Sequence, residues 1–276
     1  MENTASILIL VSGFSHAVVN AILKAGNDKM SRRALLDGFS ALMVAPAAFL
    51  VPLPSGAWSW LIASGIVHGL YLLALIKSFE QSDMTVAYPI ARGLAPMLAA
   101  AGAVLIFHEP ISVLVAVGIL LIAFGVMFIG ASHRMRASAL LWAMMTGACI
   151  AAYTVIDAQG VRAAPTAASY IVWTFLVLGG ALGSCFAIWR GKAFFASLAG
   201  QWKPGIIAGA LSIISYGFAL LAFRLGATPR LAALRETSIL FGTAIAVIFL
   251  KERLNSLRTA GVVAIAGGAI ALIAVR

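Results

Sequence analysis

Ten stretches of the chain, roughly 5–23, 34–54, 57–79, 84–107, 111–130, 138–157, 166–189, 204–224, 229–250 and 256–275, are mostly apolar on all sides and long enough to cross a bilayer as helices. They use nearly all of the 276 residues, so no soluble domain fits beside them. The connections are a few residues long, apart from loops expected at 24–33 and 190–203. A transmembrane β-barrel would need short segments alternating apolar and polar residues, which these are not. The composition agrees: 62% hydrophobic and 10% charged, against about 45–50% apolar and about 25% charged in soluble domains. The expected fold class is an all-α integral membrane protein with ten transmembrane helices. The first run opens with Glu2 rather than a basic segment, so it reads as a mature helix and not a signal peptide.

The formal charge of +10 does not point to nucleic acid, because the basic residues form no stripe. They follow the loops instead. Lys24, Lys29, Arg32, Arg33, Lys77, Arg134, Arg136, Arg190, Lys192, Lys203, Lys251, Arg253 and Arg258 lie after the odd-numbered runs, and only Arg162, Arg224, Arg230 and Arg276 lie on the other side. By the positive-inside rule the first group is cytoplasmic and both termini are outside. Cys149 and Cys185 fall inside runs without metal-ligand spacing and read as core residues.

Two arginines, Arg92 and Arg235, interrupt the fourth and ninth runs. Arg92 and Arg235 stand 143 residues apart, and so do Glu109 and Glu252, Val104 and Val247, Gly118 and Gly261, Ala123 and Ala266, and Gly125 and Gly268. A looser echo relates GFSHAVVNAILKAG (13–26) to GACIAAYTVIDAQG (147–160), mainly through two glycines at equal spacing. The chain is therefore read as two copies of a five-helix unit. Five crossings is an odd number, so the second copy enters the membrane from the opposite face. Inverted repeats of this kind place a transporter's substrate site near the midplane, between the copies.

The segments SHAVVNAILKAG (15–26), AYPIARGLAPMLAAAGAVLIFHEPIS (87–112) and LAALRETSILFGTAIAVIFLKERLN (231–255) resemble those of the drug/metabolite transporter superfamily, specifically its ten-helix EamA-type members. The resemblance implies two inverted five-helix repeats, over 1–132 and 133–276, around a cavity lined largely by helices 1, 3, 4, 6, 8 and 9. In the better-known members both termini are cytoplasmic, opposite to the charge count. SHAVVNAILK and YTVIDAQGVR also look like segments of members linked to phosphonate use, which suggests an amino acid or aminophosphonate as substrate.

At 1.5 Å per residue each arginine lies roughly 9–12 Å deep along its helix. A charge there costs at least about 2.5–3.5 kcal/mol, so it should meet a wet cavity or a partner. Two guanidinium forks from opposite halves can hold a carboxylate, phosphate or phosphonate. The competing reading is that each binds nearby carbonyls or an acid such as Glu236, Asp83 or Asp157; Glu236, adjacent to Arg235, weighs most on that residue. His16, Asn20 and Lys24 share one face of the first helix. His16 and Asn20 are read as substrate-lining rather than interhelical bonds, and Lys24 as snorkelling to the interface. Tyr88, one turn before Arg92, and Tyr216 are the aromatics chosen for the cavity, over Tyr71, Tyr153, Tyr170 and Trp173, which also fit an interfacial belt. Pro89 and Pro96 bracket Arg92 and can kink its helix. Asp157 is a candidate for proton coupling or an interfacial residue, and Glu236 joins the gating candidates. Glu109 and Glu252 are read as end caps paired with loop cations, and Glu80 and Asp83 as solvated. Gly65/Gly69, Gly179/Gly183 and Gly205/Gly209 have close-packing spacing.

The sequence thus reads as a secondary transporter moving a small polar metabolite with an anionic group by alternating access, in the bacterial inner membrane. No G-x-x-x-x-G-K-[ST] is present for ATP-driven pumping. The rival classes are a membrane enzyme acting on a lipid-linked substrate, for which no HExxH or GxSxG occurs, and a lipid scramblase. No cofactor or metal is expected. Expected partners are the substrate, the lipid bilayer, protons or a counter-substrate, and a second copy of the chain.

Overall fold

The computed structural model describes residues 2–24, 29–82, 84–130, 136–251 and 254–274. Lipid offers no hydrogen bonds to a backbone, so an apolar chain of this kind must satisfy itself as helix, and no strand occurs among the described residues. The helices are α1 (Glu2–Lys24), α2 (Lys29–Val44), α3 (Trp58–Gln81), α4 (Met84–Leu105), α5 (Val113–Gly130), α6 (Ala137–Ala163), α7 (Ala167–Arg190), α8 (Lys192–Leu225), α9 (Thr228–Arg235), α10 (Ser238–Leu250) and α11 (Ser256–Ala274). α9 and α10 are two pieces of one apolar span, Thr228–Ile248, so the described residues form ten helical segments.

Three expectations change. The ninth run is broken at Glu236 and Thr237, where backbone bonds tighten to i→i+3: Glu236 N–H to Ala233 O and Thr237 N–H to Leu234 O, at 3.0 and 3.1 Å. Thr237 Oγ1 donates to Leu234 O at 2.7 Å, satisfying a carbonyl at the break. The loop expected at 190–203 is helix, because α8 starts at Lys192 after Gly191, whose φ of +52° supplies the left-handed turn, and runs on through Pro204. The second run is shifted toward the N-terminus: α2 starts at Lys29, inside the loop expected at 24–33, and passes at Pro46 into a 3-10 turn, Ala45–Phe49.

The inverted relation of the halves is visible where α5 meets α11. A Cβ on Gly118 would come 3.2 Å from Gly268 O, and one on Gly125 would come 2.8 Å from Gly261 O, so the two helices run antiparallel with backbone touching backbone. The repeat pairs Gly118 with Gly261 and Gly125 with Gly268, so exchanging the halves maps this contact onto itself. Two equivalent helices can be antiparallel neighbours only about a two-fold axis across them, that is, one lying in the membrane plane. The remaining packing obeys the same operation: α1 lies along α8, and its counterpart α6 lies along α3. Even the backbone repeats, since His108 and Lys251, also 143 residues apart, both have φ of +53°.

The weak glycine echo has a physical meaning as well. Gly147 of α6 lies against Ala91 O of α4, where a Cβ would sit at 2.8 Å. Gly13 of α1 lies against the α9–α10 break, 3.3 Å from Ser238 N and 3.5 Å from Arg235 O by the same measure. The first helix of each half therefore crosses an arginine-bearing helix where glycine leaves room for its backbone.

Candidate functional site

These crossings bring both arginines to the centre of the bundle. Arg92 is 5% exposed, Arg235 8% and Glu236 4%. Arg92 Nε approaches Glu236 Oε2 to 2.8 Å as an ion pair, side-on rather than along the N–H direction, and Arg92 Nη2 donates to Ser238 Oγ at 2.8 Å. The Arg92 guanidinium also lies 5.8 Å from the Tyr88 ring. Arg235 is different. Its guanidinium stands 5.0 Å over the Tyr216 ring, its buried Nε has no hydrogen-bond partner, and no carboxylate pairs with it among the described residues. Between the two lies a small cavity lined by Arg92, Ala95, Pro96, Ala99, Ile150, Thr154, Ala232, Arg235 and Glu236, with room for about one water molecule.

The sequence likeness and the two-fold fold now converge on one finding. The EamA-like transporter family matches residues 3–131 and again 137–274. The chain belongs to the EamA-like transporter family. Members of this family are transporters, so it is an integral membrane protein that transports small molecules. A solved structure described only as "Crystal structure of protein" is 16% identical, covers 97% of this chain and 94% of its own, and superposes with a TM-score of 0.73; at that identity the likeness concerns fold. Comparison with curated proteins gave no match.

Around the cavity of this EamA-like chain, the sequence-selected residues separate. Pro96, Arg92, Arg235 and Glu236 are cavity walls. Pro89 lies one turn away in α4, which stays helical through both prolines. Tyr88 and Tyr216 sit outside the wall, each under one arginine. His16 is half-buried, with a buried Nε2 that has no partner. Asn20 is half-buried on the same face, and the side chain of Lys24 lies outside those described. Cys149 is partly exposed rather than core.

Asp157 is not interfacial. It is fully buried, with Oδ1 accepting from the Tyr170 hydroxyl at 2.8 Å and Oδ2 from the Tyr216 hydroxyl. Gly160, one turn on, makes the room: a Cβ there would stand 2.3 Å from the Tyr170 hydroxyl. Sequence reasoning passed over His68 of α3, which stacks on Tyr153 at 4.0 Å and 23° and meets Tyr216 edge-on at 6.1 Å. Its Nδ1 lies 2.9 Å from Ser64 O, so it carries a proton there. The signal available was Ser64, His68 and Tyr71 at i, i+4 and i+7, a polar stripe of the kind recognised in the first helix.

Below the cavity, at the end of the bundle holding Glu2, Glu109 binds the second half. Its Oε1 accepts from Arg162 Nη1 at 2.6 Å, Thr228 Oγ1 at 2.7 Å and Gln159 Nε2 at 3.2 Å, and Oε2 accepts from Thr228 N–H at 2.7 Å. It caps α9 rather than its own helix. Glu252 and Asp83 lie outside the described residues, while Glu80 is exposed and paired with Lys77 at 2.9 Å.

Proposed function

We propose that this chain is a secondary transporter carrying a small solute with an anionic group, a carboxylate, phosphate or phosphonate, by alternating access of its two halves. Arg235 is the group that holds the anion. The observation that carries this is a buried guanidinium at the wall of a central cavity with no carboxylate paired to it among the described residues. An unpaired buried charge is strongly unfavourable, and a planar fork of donors is suited to a bidentate oxyanion. Arg92 is matched by Glu236, so it presents a neutral pair on the opposite wall. Amino acids and aminophosphonates fit such a wall, their ammonium facing Glu236 and their acid facing Arg235. His16 and Asn20 extend the polar surface along α1, Tyr88 and Tyr216 back the two guanidinium groups, and Pro89 and Pro96 loosen the α4 backbone for the movement. The charge asymmetry of the loops suits a plasma membrane such as the bacterial inner membrane.

The test is uptake into proteoliposomes after a thermal-shift screen of amino acids, organic phosphates and phosphonates, since a ligand of the folded state raises apparent stability. Arg235→Ala is expected to weaken binding by roughly 10–100-fold, the worth of about 1.5–3 kcal/mol for a hydrogen bond to a charged group, while Arg235→Lys retains part of it. Undiminished transport by a folded Arg235→Ala variant sinks the proposal, and recovery of a chemically altered solute supports the enzyme class instead.

A further inference from the structure

We infer that Asp157 is a proton-binding site of this transporter, so that one proton crosses with each net negative charge held at Arg235, and that Tyr216 is the positioning residue joining the two sites. The inference rests on the anion reading above and narrows it to solutes with a net negative charge.

It begins with the charges at the centre of the bundle. Arg92 and Glu236 cancel as a close ion pair. Arg235 and Asp157 have no ion pair among the described residues, yet they are linked through one side chain: the Tyr216 ring lies beneath the guanidinium and its hydroxyl donates to Asp157 Oδ2. The four buried charges sum to zero. A monoanion entering at Arg235 therefore leaves the region with one uncompensated negative charge where solvent does not screen it. A proton on the Asp157 carboxylate restores neutrality, and by linkage each ligand then strengthens the binding of the other.

Hydrogen-bond polarity couples the events mechanically. An ionised Asp157 only accepts, and both of its oxygens receive a phenol O–H. When a proton from the aqueous side adds to Oδ2, that oxygen becomes a donor and the Tyr216 bond must reverse. Tyr216 oxygen now accepts, and its own O–H needs another acceptor, which an anion beside Arg235 supplies. No electrons move, and the proton leaves when the carboxylate faces the other solution. Tyr170 of α7, pinned against Gly160, keeps Oδ1 occupied, so the change falls on the Tyr216 side.

The other titratable groups facing this point are His68 from α3, which senses the Asp157 charge, Tyr153 on the same helix, and Arg235 from α9. His68 donates from Nδ1 to its own helix, Glu236 is paired with Arg92, and Glu109 is held by Arg162 and Thr228. Asp157 is the buried acid that faces only neutral donors.

The experiment uses the full chain in proteoliposomes with labelled lactate, methylphosphonate and aminomethylphosphonate as probes. With the outside one pH unit more acidic than the lumen, a transported monoanion should accumulate inside about tenfold, because one unit corresponds to a factor of ten in proton activity. Asp157→Asn should still exchange the probe across the membrane, more slowly, but accumulate it to a ratio near one, and Asp157→Glu should restore accumulation. Should Asp157→Asn not fold, dye-monitored proton uptake by wild-type protein in weak buffer is the second readout, with about one proton expected per monoanion bound. Wild-type transport with no accumulation under the gradient overturns the inference, as does tenfold accumulation by Asp157→Asn, absence of proton uptake, or transport restricted to solutes without net charge. Failure of the anion reading looks different: no probe binds, or Arg235→Ala behaves as wild type.

Discussion

Arg92 and Arg235 occupy equivalent positions and do not do equivalent things. Glu236 adjoins Arg235 in sequence, but neighbours at i, i+1 point away from one another around a helix. The acid turns across the cavity to Arg92 instead, at 2.8 Å. This difference makes a stability prediction. Arg92→Met leaves Glu236 buried without a cation, and Glu236→Gln leaves Arg92 with Ser238 alone, so each should cost about 3–5 kcal/mol. The double variant Arg92→Met/Glu236→Met should recover most of that loss, and Arg235→Met, which breaks no direct ion pair, should cost less than either single variant. Unfolding in detergent, arranged as a double-mutant cycle, checks all four; additive losses at 92 and 236 would show that the pair is not coupled. The arginines were legible because a charge in an apolar run has no other excuse. Glu236 was legible as a partner, but not which arginine it pairs with, because that depends on where the second half places its helix break. Asp157 was half-legible for the same reason: its burial needs Gly160 to admit Tyr170 and α8 to deliver Tyr216, neither of which a single helix reveals.

All ten helical segments could be read from apolar length, although the ninth run hid its break. Apolar residues continue through 236–237 in either conformation, so hydropathy cannot register a change from α-helical to i→i+3 bonding. The break packs against another element, α1 at Gly13, a contact that no single run reveals. Glu109 shows the converse. Its place at a helix end was legible, but the helix that it caps belongs to the other repeat. Through Glu109 the α4–α5 turn holds the first N–H of α9, and Arg162 extends the lock to Phe223 O and Gly226 O at 2.9 and 2.8 Å. Carboxylate at a helix N-terminus is favourable on dipole grounds as well. Glu109→Gln removes the charge from at least four bonds and leaves Arg162 with carbonyls, so it should lower stability by about 1–3 kcal/mol, read as a fall in Tm. An unchanged Tm would mean that the two halves are held at this end by other contacts.

At the scale of the molecule, the two ends of the bundle carry different kinds of cation. Toward Glu2, Arg162 donates to two carbonyls and Glu109. Arg224 donates to Val161 O, Ala164 O and Pro165 O, and Arg230 to Leu272 O, Glu2 and Ser6. These arginines are helix-end locks rather than a surface charge. At the other end Lys77 pairs with Glu80 in the open and the exposed Lys203 rests over Trp202, so surface positive charge lies there. The positive-inside rule predicts from this asymmetry that the Lys77 end faces the cytoplasm and both termini lie outside. With Cys149 and Cys185 replaced by Ser, a single cysteine at Ser55, in the exposed turn before α3, should react with a membrane-impermeant maleimide in intact cells. One at Ser256, at the exposed start of α11, should react only after permeabilisation. The two positions lie at opposite ends of an inverted pair, so they must exchange behaviour together if the orientation is reversed. A reversed pattern would refute the charge argument and leave the two-fold fold intact, whereas labelling of both from one side would refute the fold.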